Sequence, residues 1–221
     1  IDWCDCFAFL FPFKRKFESR KSLTRFNILH FLTFSVIIKN RLFMSYVGIQ
    51  SFLLGSMFAY IAASPFIFQS FYGLSAFIFS LCFGANGAAL VIGANIGGKL
   101  PNRKALAIGV FAFVVAALYT IAVLIIQPYW LFVEIGFFAM LLLMGITFPA
   151  ISSLAMESER QYAGSASALL GFAPFFLGGV VSPLVGIGNI FYSTALVILA
   201  CSVLALVIYW MIRHKIPNLA E

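Results

Sequence analysis

The sequence has little charge: Asp, Glu, Lys and Arg make up 10% of its 221 residues, against roughly a quarter in a soluble domain. Hydrophobic residues make up 63% and the mean hydropathy is +1.06. A water-soluble fold of this length could not hide so much apolar surface, so lipid is the solvent for most of the chain. Histidine is nearly absent, and His30 and His214 both fall outside the long apolar runs, as does every Asp. An intramembrane protease needs a Ser–His or paired-Asp centre within the membrane, and a zinc protease needs a His-Glu-x-x-His pair. Neither is present, so no enzyme, cofactor or resident metal is expected. Cysteine is scarce too. Cys4 and Cys6 form a C-x-C pair with no second pair to complete a zinc site. Cys82 and Cys201 lie inside apolar runs, where a free thiol packs as a small side chain; no disulfide framework is expected.

What the sequence does have is six apolar stretches of about the 20 residues needed to span a bilayer as a helix: 42–64, 75–97, 105–126, 130–154, 163–186 and 190–212. The net charge of +7 lies between them. Eight Lys and Arg precede the first stretch, three lie between the second and third, one between the fourth and fifth, and two follow the sixth. The other connections have none. No basic face remains outside these flanking loops, so nucleic acid is excluded as a partner. Positively charged loops stay in the cytoplasm, which puts both termini inside a cell membrane crossed six times. The expected organisation is a basic, amphipathic segment over 1–41, a six-helix bundle over 42–213 and a short cytoplasmic tail over 214–221. Within the first segment, 23–38 is apolar but short and interrupted, with Arg25, His30 and Lys39 around it. It reads as a helix lying on the inner leaflet; the alternative, a seventh span, would break the charge pattern. The stretch 1–13 lacks the order of a signal peptide, and a first residue of Ile fits a fragment whose upstream part is missing.

The six stretches differ in texture, and the difference repeats. The second has small residues at Ala85, Ala89, Gly93 and Gly97; the fifth has them at Ala163, Ser167 and Gly171, then Gly178 and Gly179. Such stripes let helices approach closely in lipid. The third and sixth are mostly Ala, Val, Leu and Ile, as lipid-facing helices are, whereas the first and fourth mix Met, aromatic and polar residues. Two triplets of odd length must run in opposite senses. The expected fold is therefore all-α integral membrane, an inverted 3+3 repeat of the kind found within transporter halves.

Steps of three and four residues place Tyr46, Gln50, Leu53, Met57, Tyr60 and Ser64 on one face of the first helix, with Gly48, Gly55, Ala59 and Ala62 opposite. The small face packs. The polar face must look into a cavity or onto another helix, because an unsatisfied polar group in hydrocarbon costs several kcal/mol. Tyr46, Gln50, Met57 and Tyr60, with Met140 and Met144 on the fourth helix, are the substrate-cavity candidates, since soft Met and aromatic walls repack around varied ligands. The bland reading of the same residues is helix–helix bonding. Glu134 is the only acid within a stretch. Intramembrane acids are functional candidates by default, so it is the proton-coupling candidate. It also lies near the end of its helix, where a Glu could instead reach interfacial water. Asn86 and Asn95 fall on opposite sides of the second helix, so each is expected to bond a neighbouring helix. Pro149, Pro174 and Pro183 are candidate kinks.

The stretch 60–69 (YIAASPFIFQ), followed by Tyr72-Gly73-Leu74-Ser75 and Asn86, resembles the seventh helix and following loop of Bcr/CflA-type drug efflux transporters of the major facilitator superfamily. The stretch 164–171 (GSASALLG) is similar to the start of their eleventh helix. The resemblance implies that this chain corresponds to helices seven to twelve of a twelve-helix drug:proton antiporter, its basic segment being the central cytoplasmic loop. The partners so implied are a drug-like small molecule, protons, and an N-terminal six-helix half. That half would hold the acid expected to couple protons, so the chain alone is not expected to transport. The loop 97–105 (GGKLPNRKA) departs from the family pattern in having no Asp. Two alternatives from other classes are an oligomeric channel lined by Ser, Asn and Gln and a non-transporting membrane fragment.

Overall fold

The computed structural model describes residues 36–214. Most of the basic amphipathic segment, Cys4, Cys6, His30 and the last residues of the tail lie outside the described residues. Within them every regular element is helical. Helix α1 spans Arg41–Pro65 and runs on through a π-helical turn, Phe66–Phe71; α2 spans Ala76–Gly97, α3 Asn102–Ile126, α4 Trp130–Ser158, α5 Ala163–Val185 and α6 Ile190–Ile212. All six are long and apolar enough to cross a membrane.

Local chemistry explains where they start and stop. Asn40 caps α1, its Oδ1 accepting from the Leu42 and Phe43 amides at 3.0 and 3.3 Å. Ser75 caps α2 and Asn189 caps α6 in the same way. Gln127 ends α3 in the left-handed region at φ 53°. The apolar stretch ending at 64 underestimates α1. Pro65 has no N–H to give to the Ile61 carbonyl, but the Ser64 hydroxyl donates to that carbonyl at 3.3 Å, and the chain stays helical to Phe71. The proline is absorbed within the helical run.

Helix α1 packs on α5 and α6, and α4 packs on α2 and α3; α1 also meets α4, and α3 meets α6. Exchanging the first triplet for the second leaves this set of main packings unchanged, which is the expected 3+3 repeat. The centre belongs to α1 and α4, which bury residues on several sides. By contrast α2 buries only one strip, Cys82, Asn86, Ala89, Gly93 and Gly97, and α5 only Ala166, Leu170, Pro174, Gly178, Val181 and Val185.

The small-residue stripes divide. On α2, a Cβ at Gly93 or Gly97 would collide with the Leu142 or Ile146 carbonyl of α4, and one at Gly145 with the Leu90 carbonyl. Backbones touch there, as expected. On α5, Ala163, Ser167, Gly171 and Gly179 are exposed, nothing lies within 4 Å of a Cβ at Gly171, and only Gly178 is closed, by the Phe58 ring. The buried strip of α5 is another side of the helix, and the small stripe looks out of the bundle.

The two ends of the bundle differ. One has Lys39, Arg41, Lys99, Arg103, Lys104, Arg160 and Arg213; the other, formed by 71–75, 127–129 and 186–189, has no charged residue. At the uncharged end Tyr72 donates its hydroxyl to the Pro128 carbonyl at 2.7 Å, tying two connections together. At the basic end the Asn40 amide donates to Glu159 Oε1 at 2.6 Å and Asn102 donates to Ser153 at 2.8 Å.

Candidate functional site

Tyr60, Asn86 and Glu134 come from three helices and meet where α1, α2 and α4 join. The Asn86 amide donates to the Tyr60 hydroxyl at 2.9 Å, and Asn86 lies beside the Glu134 carboxyl. All three are closed in: Asn86 is 1% exposed and Glu134 7%. The walls are aromatic. The Tyr60 ring lies 4.7 Å from Phe137 and 5.9 Å from Phe83, centroid to centroid, and Phe68 and Phe79 extend the cluster toward the uncharged end. Both Glu134 oxygens and Asn86 Oδ1 are buried without a hydrogen-bond partner. Buried polar atoms in native structures are nearly always paired, so three together need an explanation.

Glu134 is thus not at an interface with water, although it lies barely more than one turn into α4. The π-helical extension of α1 buries Ile67 and Phe68, with Phe68 against Phe137 of α4. Its side of α4 is the one turned to α2, away from Met140 and Met144. Asn86 is a site residue that the sequence reading left out. Its signal was present, since it lies on the same strip of α2 as Cys82, Ala89 and Gly93. Asn95, expected to bond a neighbouring helix, bonds the Val91 carbonyl of its own helix at 2.8 Å and is exposed.

The other candidates are placed as follows. Tyr46 is fully buried and its hydroxyl has no partner; Gln50 is half-buried and its Oε1 has none either. Met57 is half-buried, whereas Met140 and Met144 are each 1% exposed. Helices α1 and α4 run side by side in opposite senses, joined by the Tyr60–Phe137 ring contact toward one end and the Asn40–Glu159 bond at the other. The predicted face of α1 is therefore inside the bundle, with only Gln50 and Met57 partly open. A cargo could reach Tyr46 or Tyr60 only if this seam opened. A solvent-facing hollow at the basic end is lined by consecutive residues from Glu157 to Tyr162, so it is a turn folded on itself rather than a route inward. Among the described residues no three His, Cys, Asp or Glu side chains converge to hold a metal ion.

Six apolar helices, packed as two triplets with matching contacts and with polar groups sealed along the central pair, define a membrane-spanning helical bundle. The Major Facilitator Superfamily profile matches residues 3–183, and the chain belongs to that superfamily. It is 37% identical over 161 residues to the uncharacterized MFS-type transporter YdgK of Bacillus subtilis strain 168, covering 71% of this chain and 40% of that protein. It is 27% identical over 224 residues to the bicyclomycin resistance protein homolog of Haemophilus influenzae Rd, covering 94% of this chain and 53% of that one. The chain thus spans about half the length of these relatives.

Proposed function

We propose that this chain is the C-terminal six-helix half of a Bcr/CflA-type transporter that exports small, drug-like molecules across the cell membrane in exchange for protons. Its basic end would face the cytoplasm, where positively charged loops are retained. The observation that carries the reading is the inner face of α1. Tyr46 and Gln50 present unpartnered polar atoms there, next in line to the soft side chain of Met57. A few hydrogen-bonding groups in an apolar, adaptable wall suit ligands that share size and greasiness rather than a single shape. The drug-like cargo class draws further support from the name of the Haemophilus relative, a bicyclomycin resistance protein homolog.

A second six-helix bundle is the partner of this reading. Helices α2 and α5 each leave most of their circumference uncovered, including the small stripe of α5 and the large side chains Phe172, Phe175 and Phe176. Small residues beside bulky ones allow close helix packing in lipid. The test is export by the twelve-helix protein in cells stripped of other exporters, measured for chemically distinct dyes and antibiotics with and without a proton gradient. Gradient-dependent export of several unrelated compounds is expected. A protein that is inserted and abundant yet moves none of them would overturn the assignment.

A further inference from the structure

We infer that Tyr60, Asn86 and Glu134 form a proton-exchange site in which a proton on Glu134 is shared with Asn86 Oδ1, and that loading this site holds α1, α2 and α4 together. It deepens the transport reading above, on which only its use in coupling rests.

Asn86 has committed one of its two N–H groups to the Tyr60 hydroxyl, and its Oδ1 remains buried without a partner, as do both carboxyl oxygens of Glu134. Oδ1 and a carboxylate are both acceptors, so neither can satisfy the other. One proton on Glu134 turns its hydroxyl into a donor and satisfies Oδ1. A charged carboxylate in the same place would be a buried ion with no counter-ion, which protein interiors do not tolerate. No Lys or Arg is at hand to neutralise it: those among the described residues belong to the basic end, and Glu134 lies toward the other. A metal ion is a poorer occupant. Hard cations take about six oxygen ligands, and this seam offers two carboxyl oxygens, one amide oxygen and a phenol. The titratable groups that face Glu134 are Tyr60 from α1 and Cys82 from α2; α3 meets α4 at Gly136 through Thr120, which does not titrate.

The exchange step needs no other reactant. When the seam opens and water enters, the Glu134 O–H bond breaks and its proton passes to water, leaving a hydrated carboxylate. Reclosing requires a proton to return, so the three helices cannot shut on the charged form without the cost just described. Proton occupancy is in this way linked to the packing of α1 against α2 and α4.

The test is infrared difference spectroscopy on the whole chain in lipid nanodiscs, following carboxylic-acid carbonyl bands as pH is varied. Glu134→Gln, which preserves size and shape, should abolish one titrating band. Asn86→Leu should move that band to higher frequency, because its proton has lost its acceptor, and Tyr60→Phe should move it less. A second measurement uses Cys82 as reporter after the other three cysteines are replaced by Ser. Its labelling by a water-soluble maleimide should accelerate severalfold more with rising pH when Glu134 is present than in Glu134→Gln. A band set indifferent to Glu134→Gln, or a Cys82 rate ratio that does not depend on Glu134, would overturn the site. If Glu134→Gln does not insert, Asn86→Leu decides alone: an unmoved band overturns the sharing. These readouts need no cargo. A titrating site in a protein that transports nothing would retract the transport reading, while export with no such titration would retract the site.

Discussion

Tyr46 and Tyr60 occupy the same face of α1 and both are sealed from solvent, yet their hydroxyls differ in kind. Tyr60 accepts from Asn86, whereas the Tyr46 hydroxyl has no partner. A buried, unpaired hydroxyl costs about 1–3 kcal/mol, so removing it should be neutral or stabilising. Tyr46→Phe is therefore expected to leave the thermal midpoint in detergent unchanged or raised. Tyr60→Phe should lower stability by about 1–3 kcal/mol, because it strands the Asn86 donor. If the Tyr46 hydroxyl is kept for cargo, Tyr46→Phe should nevertheless alter which compounds the twelve-helix protein exports, by roughly two- to tenfold for those that bond it. A stable Tyr46→Phe with an unchanged resistance profile would mean that this face serves packing alone. Helical steps of three and four were enough to bring these tyrosines onto one face. Which hydroxyl is paired was not legible, since that depends on how α2 is rotated against α1. A projection of α2 puts Asn86 on the strip of Ala89 and Gly93 and Asn95 on the other side, but only the contact with Tyr60 shows which partner Asn86 takes.

Among the helices, α2 and α5 look alike in composition and behave differently. Gly93 lies against backbone atoms of Leu142 and Gly145, so nothing flexible can yield. Gly93→Leu should therefore prevent α2 from seating on α4 and sharply lower the folded fraction. Overpacking a tight site typically costs about 1–3 kcal/mol, and more where backbones touch. Gly171→Leu meets nothing within 4 Å and should leave the stability of this six-helix chain near that of the unmodified protein. In the twelve-helix protein the same change should weaken association of the halves, read as earlier separation during size-exclusion chromatography of a split version. Equal damage from both changes in the six-helix chain would refute the difference. The stripes themselves were visible in the sequence because small residues recur every fourth position. Which stripe this chain covers was not, for a small face is equally suited to a neighbour inside the bundle and to one outside it. Pro65 marks the same limit. Its missing donor was legible, but the repair by Ser64 depends on the geometry of that turn.

At the scale of the whole molecule, charge and symmetry say the same thing by different routes. Three helices and their inverted counterparts bring the two ends of the bundle into opposite environments, and Lys and Arg collect at one of them. This architecture was the most legible part of the sequence. Span length and basic-residue placement are properties of long segments, and they do not depend on side-chain contacts. Orientation follows if the basic end stays in the cytoplasm, and it can be tested by thiol labelling in intact cells. Cys82 and Cys201 are buried and Cys4 and Cys6 can be replaced, so background reaction is low. Gln69→Cys and Tyr129→Cys lie toward the uncharged end, where Tyr129 is 62% exposed, and should react with a membrane-impermeant maleimide added outside. Arg103→Cys and Arg160→Cys lie at the exposed basic end and should react only after the cells are opened. Each basic residue near a membrane surface contributes about 1 kcal/mol of attraction to an anionic inner leaflet, so one substitution will not invert the bundle and each position reports the native orientation. Gln69→Cys reacting only in opened cells would reverse the assignment.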